Sequence, residues 1–220
     1  MRKSNIFFIL LGVFFLILFC NKIFAWEKTK ESNGITIYTR KIEGSHFKEF
    51  KAVMRVKTTL SGLIALFEDI ESAPHWIETC IERKLLKRIS PSETYTYMVN
   101  AAPWPIKDRD SIVHNIIEQD PNSGVVNIRA TSVPDFIPEK SHLMRVKDIE
   151  AYWRFTPLAD GYVEIVYRVY NNPGGYLPSW LVNIATISYP YKSMINLKKV
   201  ITQPKYQQAH YDFISQKLSE

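Results

Sequence analysis

Cysteine is scarce, with two residues among 220. That is too few for a disulfide-rich scaffold. No Gly-x-Ser-x-Gly, His-Glu-x-x-His, Cys-x-x-Cys, glycine-rich phosphate loop or Walker pattern occurs. The local signatures of several enzyme classes are therefore missing. The five histidines, at positions 46, 75, 114, 142 and 210, are dispersed and lack metal-ligand spacing. No metal and no cofactor is expected. Internal repeats, low-complexity stretches and interdomain linkers are also lacking. The apolar run Ile6–Cys20 spans fifteen residues, short of the roughly 20 that a membrane-spanning helix needs. What is abundant is apolar side chain, 46% against 23% charged. This composition excludes a disordered chain and suits one domain with a sizeable core.

The formal charge of +6 hints at an anionic partner, but the hint weakens once the N-terminus is read. Arg2 and Lys3 precede the apolar run, and Ile23-Phe24-Ala25 offers an acceptable cleavage site. Residues 1–25 read as a secretory signal peptide; the alternative is an uncleaved N-terminal membrane anchor. Removing Arg2, Lys3 and Lys22 takes the charge from +6 to +3, and nucleic acid is not expected as a partner. Cys80 is then the remaining cysteine, read as a small buried hydrophobe. A periplasmic or secreted location and a monomer are expected.

Strands dominate the mature chain, residues 26–220. Gly34–Arg40 reads as a first short strand. Phe47–Val56 alternates, with Lys48, Phe50, Ala52, Met54 and Val56 on one mostly apolar face. Leu60, Leu63, Ile64 and Phe67 recur at helical spacing, with Thr59 or Ser61 as N-cap and Pro74 as the stop. Strands follow over 79–89, 94–100, 110–119 and 125–131, separated by Pro, Gly, Asn and Ser. Residues 133–143 read as an ordered loop. Two longer strands, 144–156 and 162–170, join across Ala159-Asp160-Gly161. The basic cluster Arg83, Lys84, Lys87 and Arg88 reads as a solvated strand face, or as a contact for an anionic membrane.

The period changes in the last third. Pro178 suits a first helical turn. Leu181, Ile184, Ala185, Ser188, Met194, Ile195 and Leu197 outline a long apolar helix with Pro190 inside it. A more polar helical extension covers 205–218. Antiparallel strands followed by one long helix make an α+β fold, and that helix is the element large enough to cover the sheet.

Three stretches carry a family resemblance. Pro105-Ile106-Lys107-Asp108-Arg109-Asp110-Ser111-Ile112-Val113 resembles the Pro-x-x-x-Arg-Asp-x-x-Val signature of START domains, the StAR-related lipid-transfer family. Tyr152-Trp153-Arg154-Phe155 with Asp160-Gly161 is similar to that family's tryptophan strand and turn. Asn172-Pro173-Gly174-Gly175 followed by Pro178-Ser179-Trp180 resembles its strand-to-helix joint. The likeness covers about residues 30–202 and points to a secreted, bacterial-type member. At the joint, Gly174 and Gly175 supply backbone freedom, Pro178 fixes φ and Trp180 anchors the helix. This motif concerns fold, not chemistry.

The resemblance implies a helix-grip fold, a curved antiparallel sheet around a long C-terminal helix, with an apolar cavity for one lipid or other hydrophobic molecule. The implied activity is sequestration or transfer between membranes, with transient membrane contact and no catalysis. Residues 133–143, with Pro134, Phe136 and Ile137, match the family's gating loop; residues 177–200 match its lid. In sterol-binding relatives the position of Asn115 faces the cavity, and strand parity puts Ser111, Val113 and Ile117 on the same face. Tyr167, Leu181, Ile184, Ala185 and Ser188 complete the expected lining. In sterol-binding relatives an arginine stands where this chain has Asn115, which brings no charge. Asn115 either bonds a ligand oxygen or satisfies a buried backbone group. Arg109 and Asp110 read as a structural pair held by a salt bridge or backbone bonds, with Asp108 and Asp110 solvated. The alternative is a cyclase- or hydrolase-like enzyme on the same fold, with Arg109, Asn115, Glu164 or Tyr167 as its polar groups.

Overall fold

The structure is a computed structural model that describes residues 25–175, 177 and 179–215. The expected signal peptide up to residue 24 and Pro178 lie outside the described residues, as do the side chains of Trp180, Leu181 and Ile184.

The chain begins its sheet with a hairpin. Strands β1 (Glu27–Ser32) and β2 (Ile35–Lys41) turn at Asn33 and Gly34, whose φ angles are 56° and 70°. Asn-Gly is the dipeptide that such a turn favours. β1 itself has no alternating pattern, because nearly all of it is exposed. In β3 (Lys48–Lys57), Phe50, Ala52, Met54 and Val56 are buried, as the alternation predicts. Helix α1 (Leu60–Glu68) starts at Thr59, whose Oγ1 accepts from the Gly62 N–H at 2.9 Å. It stops at Glu68, not at Pro74. Pro74 sits in the first turn of a separate short helix, α2 (Ala73–Trp76), where its missing N–H leaves no bond unmade.

Strands β4 (Cys80–Ser90), β5 (Glu93–Asn100), β6 (Arg109–Gln119) and β7 (Val126–Ser132) follow as antiparallel neighbours. The strand expected over 144–156 is two strands. β8 (Met144–Arg145) pairs in parallel with Arg109 and Asp110 of β6. β9 (Asp148–Pro157) pairs with β7 and with β10 (Tyr162–Asn172). The break has a cause: the Val146 N–H bonds the Asp110 carbonyl at 2.8 Å, holding that end of the segment on β6. The resulting order is β1-β2-β3-β10-β9-β7-β6-β5-β4, with β8 beside β6.

Helix α3 (Ser179–Val200) lies against this sheet and continues through Pro190. Beyond it, the helical extension expected over 205–218, of which 216–218 lie outside the described residues, is a single turn among the described ones, α4 (Pro204–Gln207). Of residues 204–215 only Tyr206 and Ile214 are buried, too few to form an apolar helical stripe. The Tyr206 hydroxyl donates to Asp69 Oδ2 at 3.0 Å and lies 3.0 Å from Ser72 Oγ.

The main core fills one half of the space between sheet and helices. Ile35, Ile37, Phe50, Met54, Phe155 and Ile165 meet Leu60, Leu63 and Ile64 of α1 and Met194, Leu197 and Ile201 at the end of α3. The C-terminal half of α3 is also tied from outside. The Asn33 amide donates to the Tyr191 hydroxyl at 2.9 Å, and Lys198 Nζ donates to the Asn33 carbonyl at 3.1 Å.

Candidate functional site: a cavity under the long helix

The other half is not filled. A cavity of about 370 Å³ lies between α3 and strands β4 to β7, β9 and β10, within the range of about 300–1,000 Å³ usual for small-molecule sites. One reason is side-chain size. Ala101, Ala102, Ala130, Ala151 and Ala185 line it, with Ser111 and Thr96, where the packed half has Leu, Ile and Phe.

An aromatic wall separates the halves. Trp153 and Tyr167 are register partners on β9 and β10, and their rings stack at 3.8 Å. Phe67 of α1 meets Trp153 edge-on at 4.9 Å and Trp76 at 5.4 Å. All four rings line the cavity. Burial pushes the Tyr167 phenol well above its ordinary pKa. The double-glycine joint follows β10. Gly174 and Gly175 have φ of 67° and 70°, the left-handed region that favours glycine.

Of the residues predicted as lining, Ser111, Val113, Asn115, Tyr167 and Ala185 lie on the wall. Ile117 does not; it lies beside the adjoining small pocket and packs against the main core. Ser188 does not either. The cavity face of α3 carries Val182, Ala185, Thr186, Tyr189 and Ser193, and 3.6 residues per turn puts Ser188 on its flank. Asn115 donates to Thr96 Oγ1 at 3.0 Å and makes a longer contact with the Thr94 carbonyl at 3.4 Å.

Pro134, Phe136 and Ile137 do not line the cavity. Ile137, with Val133 and Leu143, packs on Tyr97, Val99 and Ile112. These alternate with the cavity residues Met98, Ser111 and Val113, so the loop covers the opposite face of the sheet. Phe136 stacks on Tyr95 at 4.6 Å. Arg145, which sequence reasoning missed, holds this loop. Its guanidinium donates to the carbonyls of Pro134 and of Ile137 (3.1 Å), and it grips Asp110 through Nε at 3.0 Å and Nη2 at 2.8 Å. Both side chains are essentially inaccessible. The Asp110 hydrogen bond, assisted by its charge, raises the Arg145 pKa against the effect of burial.

The expectation of a solvated Asp110 is thereby corrected; its salt bridge is made to Arg145. Arg109 lines the cavity and donates to the Lys107 carbonyl, and burial lowers its pKa. Asp108 accepts from the Ala102 N–H at 2.8 Å. Arg83 was expected on a solvated strand face, but it too lines the cavity. The rest of that basic cluster is partly neutralised, with Arg88 on Glu68 at 2.9 Å and Lys84 on Glu82. Glu164 stays away from the cavity wall and faces Arg55 at 3.5 Å. Cys80 is buried, and burial raises its thiol pKa, which keeps it a poor nucleophile.

A curved antiparallel sheet closed by a C-terminal helix over an internal cavity defines the helix-grip class. A family model for the START domain matches residues 20–189. A Pseudomonas aeruginosa protein of uncharacterized function is 31% identical over 173 residues, 79% of this chain and 85% of its own. Phosphatidylcholine transfer protein of Bos taurus is 29% identical, over 73% of this chain and 76% of its own. The crystal structure of a STAR-related lipid transfer protein from Xanthomonas axonopodis superposes with a TM-score of 0.75. That protein is 31% identical, and the match covers 81% of this chain and 99% of that one. The chain belongs to the START domain family.

Proposed function

We propose that the protein binds one lipid or other hydrophobic molecule in the cavity under α3 and carries or sequesters it without chemical change. The observation that carries this reading is an unfilled, mainly apolar space inside an otherwise well-packed domain. Burying a ligand there is favourable by about 0.8 kcal/mol per CH₂. A membrane offers the same gain, so exchange between the two is close to balanced.

Polar groups around the cavity argue for binding over catalysis. Arg109 is turned to a backbone carbonyl, and Glu164 lies elsewhere. No nucleophile and base stand within hydrogen-bond reach of each other on this wall among the described residues, as covalent catalysis requires. Membrane contact has a candidate in Trp104, which is 92% exposed on the loop carrying the lining residues Pro103 and Ile106. Tryptophan favours the membrane–water interface. Export by a cleaved leader, residues 1–25, fits a carrier working between membranes. Among the described residues no helix is long and apolar enough to cross one.

Native mass spectrometry of protein purified from its own cells tests the reading. A lipid-sized mass that survives desolvation and is lost on solvent extraction is expected. A protein that is always empty, and that takes up nothing from a broad lipid panel, contradicts it.

A further inference from the structure

The cavity wall is electrically one-sided. Its charged residues are Arg83 and Arg109, and no Asp or Glu lines it among the described residues. Arg83 is the more exceptional of the two. One guanidinium N–H donates to the Phe67 carbonyl at 3.0 Å, near the C-terminus of α1. A guanidinium has five N–H donors, and the other four have no protein partner among the described residues. No carboxylate lies within ion-pair distance of it; the nearby Glu68 is engaged by Arg88. Arg83 is half-buried, and the protein around it lowers its pKa by making the charged form harder to solvate.

Other donors on the same wall are unused. Arg83, Met98 and Ser111 form one row across β4, β5 and β6. Ser111 is 2% exposed and Trp76 is 3% exposed; both line the cavity, and the Ser111 Oγ and Trp76 Nε1 have no partner. Buried polar groups without partners are uncommon in native proteins.

We infer that Arg83 is a ligand-binding residue, and that the cavity takes an amphiphile bearing an anionic oxygen group, a phosphate diester or a carboxylate, with Arg83 as counter-ion. Arginine suits this task because its planar fork matches both anions. The inference rests on the cavity reading above and narrows its substrate class.

The test compares charged and neutral ligands with the same acyl chain. Oleate is paired with methyl oleate, and lysophosphatidylglycerol with monoolein. Binding is measured for the full mature chain and for Arg83→Gln and Arg83→Lys. The wild type is expected to favour one charged member by about tenfold or more, as charge-assisted hydrogen bonds do. Arg83→Gln loses the preference while still binding the neutral partner, and Arg83→Lys keeps part of it. Which pair shows the gap assigns the anion to a phosphate or a carboxylate. Equal binding of both members of each pair by the wild type overturns the inference and leaves the cavity reading standing. So does a preference that survives in folded Arg83→Gln. A wild type that binds none of the four ligands overturns both. If Arg83→Gln does not fold, the wild-type gap and Arg83→Lys decide the matter.

Discussion

The same sheet and the same helix enclose two different interiors. Under the end of α3, Leu197, Met194 and Ile201 interlock with Ile35, Phe50 and Ile165, all essentially inaccessible. Under its first half, alanines, Ser111 and Asn115 leave a cavity. Interiors of proteins are normally packed like organic crystals, so an unfilled half is a cost that a purely structural domain avoids. The difference also changes what supports each strand. The packed half is held from inside. Strand β6 has the cavity on one face, so its position depends on the other face, where Arg145 clamps Asp110 and the 133–143 loop.

The largest expected effect follows from that bracing. Asp110→Ala leaves Arg145 buried without a counter-charge, which costs about 3–5 kcal/mol. Urea unfolding should show a matching fall in midpoint, and a loss under 1 kcal/mol would mean that β6 does not lean on its outer face. In the packed half, Leu197→Ala is expected to cost about 2–5 kcal/mol through the cavity it opens. The same unfolding experiment reads it. Ligand binding in the folded fraction is expected to persist, because Leu197 is not on the cavity wall; lost binding would show that the two halves are not separable.

Legibility in the sequence divides along the same line. Packed strands announced themselves, since Phe50, Ala52, Met54 and Val56 alternate cleanly. The Asn33-Gly34 turn went unread, with Gly34 placed in the first strand, and β1 escaped because an exposed edge strand carries no apolar rhythm. On the cavity side, the family resemblance chose the face and parity extended it, which placed Ser111, Val113 and Asn115 on the wall but also Ile117, which lies beside the adjoining pocket. Parity could not say which strands curve around the space, so Arg83 looked like part of a solvated face. Asp110 and Arg145 are 35 positions apart, and no local pattern connects them. The 133–143 loop was legible as a loop, but its packing on the far face depends on that same long-range pair.

The most direct test of the account fills the open half. Ala151 faces the cavity beside its register partner Ala130. Ala151→Phe places a ring where a ligand chain would lie and denies it at least two buried methylenes. At about 0.8 kcal/mol each, that is roughly a tenfold loss of affinity. Binding of a fluorescent acyl lipid is the measurement, with the melting temperature recorded alongside. The account predicts at least a tenfold weaker affinity with the melting temperature unchanged or raised. Undiminished binding by the folded variant would contradict it and place the ligand somewhere other than this cavity.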